Sequence, residues 1–560
     1  MFLTLLMLVS CKDDVVDTSA PEWSPDLVCP GAAGCETDDG TLHAQAAVAD
    51  ITPPCFESWT DVDGNGKYSK TKDVFLDCGC DRICPDDEGY TSADEGEGDG
   101  VFAAIWMGGF SAAHPATGVA DGVQARTLVL DKGDVRIAIV SVDLVGFFYD
   151  DTRATRALLA ERGLEVDYLL VGATHTHEGP DTMGLWGERT GKSGYQPEYL
   201  AFVRERIADT VEEAVAGLTE VGEMRVGGLN PEDEHDRGAA NVIDDGRDPV
   251  VIVDELGVLY LADTQGDTIA TVVNWGEHPE TLADDNYLLS SDFVHMVRET
   301  IEGGSTWDAY TTEGLGGTAI YLQGMVGGMM TPLHTTTHTP DGDVLSGATW
   351  EKNDAIGTLL GEMALKAVAE AAATEDTDLY FAHSIFTLPV DNIGFQAMFR
   401  IGVFPRVLSG YDPDEALSDD NVPEVETEMD HIRIGPLDLL TIPGELLPEV
   451  GIGGYDGSKT GSTLYELVQA DNPNPPDISA APSGPYIREQ MNGEFNWIVG
   501  LGNDELGYII PAYNFKLHDA VPYLDEAEGD HYEETNSLGP DTEPLISAQA
   551  ERLLQWSAAH

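Results

Sequence analysis

The stretch Tyr168-Leu169-Leu170-Val171-Gly172-Ala173-Thr174-His175-Thr176-His177-Glu178-Gly179-Pro180 constrains this chain more than any other. A short apolar run rich in strand formers, Glu165 to Val171, leads into two imidazoles, a carboxylate and a Gly-Pro turn. Such a run reads as a buried strand. In open α/β sheets, ligands and active sites collect beyond the carboxyl ends of strands. His175 and His177 are two residues apart, so on extended backbone they share a face and reach one cavity. Taken alone, the stretch also reads as a surface loop that happens to carry two histidines.

The pattern recurs. The strand-like run Thr271 to Trp275 leads into Gly276-Glu277-His278-Pro279, and Leu437 to Ile442 leads into Pro443-Gly444-Glu445. Trp497 to Asn503 leads to Gly507-Tyr508-Ile509-Ile510-Pro511. A lone His or Glu after a strand is usually a loop residue. Jointly, two imidazoles and a carboxylate with an open position compose a hydrolytic zinc site. A two-His-one-carboxylate iron centre shares that ligand count.

Val123 to Leu130 and Val135 to Val145 read as strands, Asp151 to Arg162 as a helix, and Glu165 to Val171 as the next strand. That βαβ order predicts an α/β fold with mixed or mostly parallel central sheets covered by helices. Further helices are expected over Pro197 to Leu218, Asp292 to Ile301 and Trp350 to Ala373, and a strand over Ala319 to Gln323. The Pro-rich patch Asn472 to Pro485 reads as an insertion loop, because strand-like text resumes after it. A single large catalytic domain is expected over 46–545, with 12–45 as a polar tether and 546–560 as a tail.

Charge excludes one class of partner. Against 101 acidic side chains stand 28 basic ones, a net of −73, so nucleic acid is repelled. Met1 to Cys11 is an apolar run ending Leu8-Val9-Ser10-Cys11, far too short to span a bilayer. It resembles a bacterial lipoprotein signal peptide with lipidation at Cys11, although it has no Lys or Arg before the apolar run. The protein is therefore expected to be exported, held to the cell envelope by that lipid or secreted. The other six cysteines, Cys29, Cys35, Cys55, Cys78, Cys80 and Cys84, read as three disulfides, with fifteen pairings open. Cys78-Gly79-Cys80 is too tight for the usual zinc spacing.

The Cys- and Asp-rich insert 55–100 also holds Asp61-Val62-Asp63-Gly64-Asn65-Gly66-Lys67, the front of a calcium loop. Asp61, Asp63, Asn65 and the Lys67 carbonyl are the expected ligands of a structural Ca²⁺. Position 12 is Lys72 rather than glutamate, with Asp73 one step later.

Ala173-Thr174-His175-Thr176-His177-Glu178-Gly179-Pro180 resembles the Gly-Thr-His-Thr-His-Ser-Gly-Pro motif of neutral ceramidases. The resemblance runs from about Ala47 to Pro540. Asp50-Ile51-Thr52-Pro53, Val140-Ser141-Val142-Asp143, Asn274-Trp275-Gly276-Glu277-His278 with Ser290-Ser291-Asp292, Ile442-Pro443-Gly444-Glu445, Asn503 to Ile509 and His531-Tyr532-Glu533 each resemble a family segment. What it implies is a zinc ion held by His175, His278, Glu445 and Tyr508. His177 would donate a proton or hydrogen bond at the scissile group, Tyr532 would help hold the oxyanion, and Arg237 would bind substrate. The implied activity is cleavage of the N-acyl amide of ceramide-like lipids by a metal-activated water. The alternatives are hydrolysis of another amide or ester on the same scaffold, and a catalytically inactive, surface-displayed binding lipoprotein.

Three departures stand out. Gly327-Gly328-Met329-Met330-Thr331-Pro332 replaces the family's Gly-Asp-Val-Ser-Pro, losing its acid and serine. Glu178 replaces a serine, which is expected to add negative charge beside the metal. The family's C-terminal immunoglobulin-like domain is expected to be absent, because the chain ends soon after the Tyr-Glu segment. The first two bear on ceramide as the substrate rather than on the metal chemistry.

Overall fold

Strands such as Val135–Val142 are apolar on both faces and so need a cover on each side. Ala138, Val140 and Val142 face a helical layer, while Ile137 and Ile139 between them face a second sheet. A computed structural model describes residues 23–253, 255–415, 418, 421–529 and 531–560. The expected signal peptide, with the expected lipidation site Cys11, lies outside the described residues.

The larger sheet has eight strands in the order Thr318–Gln323, Thr268–Trp275, Leu256–Asp263, Thr219–Leu229, His43–Asp50, Gln124–Lys132, Val135–Val142 and Tyr168–Ala173. The smaller has five: Leu27–Cys29, Leu379–Pro389, Glu424–Ile434, Leu437–Thr441 and Phe495–Val499. Leu128, Leu170, Leu259 and Ile320 of the first pack against Phe381, Ile432, Leu439 and Trp497 of the second. Helices Pro197–Gly217, Phe293–Gly303 and Trp350–Glu370 cover the outer face of the larger sheet. Helix Thr542–Ala559 covers that of the smaller through Ile546, Ala550, Leu553 and Leu554. The result is four layers, helix–sheet–sheet–helix.

The expected βαβ unit is present: Val135–Val142 and Tyr168–Ala173 pair in parallel around helix Tyr149–Glu161. The sheets are mixed but mostly antiparallel: short turns join Gln124–Lys132 to Val135–Val142, Leu256–Asp263 to Thr268–Trp275 and Glu424–Ile434 to Leu437–Thr441, and longer connections return the other antiparallel strands. Parallel pairing recurs where Thr268–Trp275 meets Thr318–Gln323 and where Leu437–Thr441 meets Phe495–Val499. The Pro-rich patch lies inside that last connection as a loop.

Two expected boundaries move. Residues 27–29, placed in the tether, form an edge strand paired with 381–383. Residues 546–560, placed in the tail, belong almost wholly to the covering helix, because their apolar residues at helical spacing seal an otherwise bare sheet face. The cysteines pair as Cys29–Cys35, Cys55–Cys80 and Cys78–Cys84. Among the described residues, no helix is long and apolar enough to cross a membrane.

One feature positions the site. The larger sheet curls until its two edge strands approach each other. Ser141 Oγ donates to Tyr321 O at 2.6 Å, and Gln323 Nε2 donates to Thr174 O at 2.9 Å and to Glu277 O at 2.8 Å. The loops after both edges are thereby tied together. The segment after Phe495–Val499 joins them: Asn503 N–H donates to Val171 O, and Asn503 Oδ1 accepts from Val171 N, both at 2.8 Å.

Candidate active site

The strand Tyr168–Ala173 ends as expected, and His175 follows at φ 68°. A non-glycine residue in the left-handed region is uncommon and clusters at functional sites. His175 and His177 therefore converge through a turn, not by alternation along a strand, with ring centroids 5.1 Å apart. His278 arrives after Thr268–Trp275, the strand next to the sheet's other edge, its ring 4.8 Å from His175 and 5.4 Å from His177. Glu445 and Tyr508 lie side by side because Glu445–Leu446 and Tyr508–Ile509 pair in parallel. Five of the expected site residues, more than 300 positions apart at the extremes, meet in one place.

Their polar atoms are organised. His175 Nδ1 lies 2.5 Å from Val145 O and His278 Nδ1 lies 2.8 Å from Met330 O. Each ring therefore donates Nδ1–H to backbone and keeps Nε2 for the site. Those Nε2 atoms stand 3.5 Å and 3.2 Å from Glu445 Oε2, and the Tyr508 hydroxyl is 3.4 Å from His278 Nε2. In a tetrahedral zinc site with bonds of about 2.0–2.1 Å, the donors are about 3.3 Å apart. The donor set thus fits zinc in type and in spacing. His175, His177 and His278 also bring ring nitrogens within 4.8 Å of one another.

Charge supports the same arrangement. Burial alone would discharge His175, but Glu445 overrides it and lifts the imidazole to about 9. The two histidines hold Glu445 well below the usual carboxylate range, against its burial. Burial pushes the Tyr508 phenol well up, and the Glu445 charge adds to this. A cation among these donors would compensate the carboxylate directly.

His177 is held from behind. Its Nδ1 lies 3.1 Å from Glu280 Oε2, and Glu280 also accepts from the Thr331 hydroxyl. Burial lowers the His177 pKa, with Glu280 opposing. Gly109 makes room for the ring, since a Cβ there would sit 2.4 Å from His177 Cγ. Glu280 was not foreseen; the signal lay in His278-Pro279-Glu280, where a second acid follows the ligand histidine by two positions.

Glu178 is not among the residues lining the cavity described below. Its Oε2 accepts from Asn286 at 2.7 Å, and burial pushes its carboxyl well above the ordinary range. Met329 occupies the departing segment at φ 61°, its sulfur 3.5 Å from the Tyr508 hydroxyl. Tyr532 stands at the rim, 44% exposed, with its ring 6.2 Å from that of Tyr508. Arg237 is not among the residues lining the cavity; its carbonyl accepts from Ser462 Oγ at 2.7 Å. The guanidinium that does line it belongs to Arg406.

A cavity of about 670 Å³, counted with its open mouth, rises above these groups. Its inner end is His175, His177, Glu445 and Tyr508, and its outer wall is Phe148, Leu185, Trp186, Phe395, Phe399 and Phe404. A polar floor under an aromatic wall is the usual composition of a site for a largely apolar ligand.

In the calcium-like loop, Asp61, Asp63 and Asp73 come together. Asp61 accepts from the backbone N–H of Gly64 and Gly66, Asp73 from those of Val62 and Ser69, and Lys72 Nζ lies 2.7 Å from Asp63. Asn65 Oδ1 accepts from Lys67 N at 2.8 Å. The lysine at position 12 supplies positive charge where an EF-hand loop supplies a glutamate.

The class defined so far is a mixed α/β scaffold with a three-histidine, one-carboxylate centre under an apolar cavity. The chain matches no family model and no curated protein sequence. Its fold is that of solved neutral ceramidases. The structure of neutral ceramidase from Pseudomonas aeruginosa superposes with a TM-score of 0.57 at 14% identity, over 92% of this chain and 74% of that one. A ceramidase complexed with C2 superposes with a TM-score of 0.58 at 14% identity, over 93% and 76%.

Proposed function

We propose that this protein is a zinc-dependent hydrolase that cleaves the N-acyl amide bond of ceramide-like lipids, exported and held to the cell envelope through Cys11. The observation carrying this reading is the spacing of His175 Nε2, His278 Nε2, Glu445 Oε2 and the Tyr508 hydroxyl, 3.2–3.5 Å between neighbours. The likeness to ceramidase structures supports the scaffold, and the three disulfides suit an exported protein. When bound, zinc lowers the pKa of a water to about 7 and polarises the amide carbonyl, so no serine nucleophile is needed.

The protein's own residues supply the rest. His175, His278, Glu445 and Tyr508 would hold the ion. His177 Nδ1, oriented by Glu280, leaves the far side of the ring to carry a proton to the departing amine. Tyr532 offers a hydroxyl to the developing oxyanion. The aromatic wall takes the acyl chain and keeps water from the floor.

The test is metal analysis of the purified protein together with turnover of a fluorogenic N-acyl sphingosine. Stoichiometric zinc and turnover abolished in His175→Ala are expected; absence of zinc, or full activity in that variant, overturns the reading. Met329 at the Tyr508 hydroxyl favours a second reading, hydrolysis of another amide or ester, which short acyl amides outcompeting the lipid would support.

A further inference from the structure

Glu505 lines the same cavity and has no role in the chemistry above. It is 3% exposed. Its Oε1 accepts the Gly507 N–H at 2.7 Å, while Oε2 is buried with no hydrogen-bond partner. A buried polar atom left unpaired is costly, and each instance in a folded protein needs a reason. Room is made for this carboxyl: a Cβ on Gly146 would come within 2.9 Å of Glu505 Cγ and 2.6 Å of Met183 Sδ. That room is taken by a side chain ending in a carboxyl, where an apolar one of similar size would leave no polar atom unpaired.

Carboxyl groups and imidazoles meet at the inner end of the cavity. Glu445 and Glu505 face it, and Glu280 stands behind His177. Arg406, the guanidinium on the wall, is committed to Asp504 through two bonds of 2.9 Å and 3.0 Å and lies 3.3 Å from Asp150. Among the described residues lining the cavity, no uncommitted ammonium or guanidinium is available to an anion.

We propose that Glu505 Oε2 receives a hydrogen-bond donor carried on the amine side of the substrate, next to the scissile bond. This rests on the amide-hydrolase reading and names the residue that reads the head group. A site built to bond a hydroxyl rejects an analogue lacking it far more strongly than an apolar pocket rejects an extra group.

The test uses two chromogenic amides with one acyl chain, whose leaving amine bears a hydroxymethyl or an ethyl group on the carbon next to nitrogen. The wild type is expected to prefer the hydroxymethyl amide over the ethyl one by about tenfold or more in kcat/KM. Glu505→Leu is expected to bring that ratio to within about twofold of unity. Glu505→Gln, which keeps an acceptor, is expected to retain it. Metal content and circular dichroism establish that both variants are folded. An unchanged hydroxymethyl-to-ethyl ratio in folded, metal-loaded Glu505→Leu overturns the assignment. If the wild type turns over neither amide, the hydrolase reading falls instead. Calorimetric affinities for the same compounds then decide the role of Glu505 by the same ratio.

Discussion

The two ends of the cavity are built differently. The floor is carried by residues at or just past strand ends, each of which also holds a neighbour: His175 Nδ1 on Val145 O, His278 Nδ1 on Met330 O, Glu445 beside Tyr508 in a parallel pair. The wall is carried by loops and by the short helix Ile393–Arg400, none of whose residues is fully buried. A rigid floor fixes where a bond can break. A wall held mainly by apolar contact sets how much substrate is gripped, and tolerates change.

Substitutions should separate the two ends. The largest effect is expected at the floor. His175→Ala or Glu445→Ala should lose the metal and about a thousandfold or more in kcat/KM, measured by metal analysis and turnover. Next comes Glu280→Gln, which should keep the metal and lower kcat by about ten- to a hundredfold, because His177 loses its orienting charge. Equal losses of metal and activity there would place Glu280 with the ligands instead.

A smaller effect is expected at the wall. Phe395→Ala should raise KM about tenfold for a long acyl chain, with kcat within about twofold and metal content unchanged. A fall in kcat as large as that of Glu280→Gln would erase the distinction between floor and wall.

The smallest concerns the anchor of the rim tyrosine. Tyr532 adjoins Glu533 and Glu534, which pair in the interior with Arg247. Burial opposes ionisation of Glu534, but His531 and Arg247 hold its carboxyl down to about 2, below its ordinary 4.5. A depressed carboxyl contributes stability above its unfolded value and loses it as pH falls toward the folded one. The melting temperature should therefore fall between about pH 4.5 and pH 2, and Glu534→Gln should flatten that slope by a few degrees.

Much of this was legible in the chain. The helices at Pro197–Gly217 and Trp350–Glu370 and the strands around Val135–Val142 follow from apolar periodicity, and the structure places them within a few residues of expectation. The donors His175, His278, Glu445 and Tyr508 were marked by one local sign, a polar ligand placed just past an apolar run. Sheet direction was not legible, since a buried strand reads the same whether its neighbour is parallel or antiparallel. The covering role of 542–559 was hidden too, because a terminal helix is amphipathic whether or not a bare sheet face awaits it.

By itself, the sequence determined local conformation, which follows from residue type and spacing along the chain, and it marked candidate donors, the set of four through the resemblance to a known family. Only the tertiary structure decided that the donors meet. The first and last strands of an eight-stranded sheet come together because the sheet curls, and Gln323 at the end of the first bridges the loops that follow the second and the last. It also turned Glu178 away and set Glu280 behind His177. Curling is a sum of small twists over many strands and of packing against a second sheet, and no window of residues contains that sum.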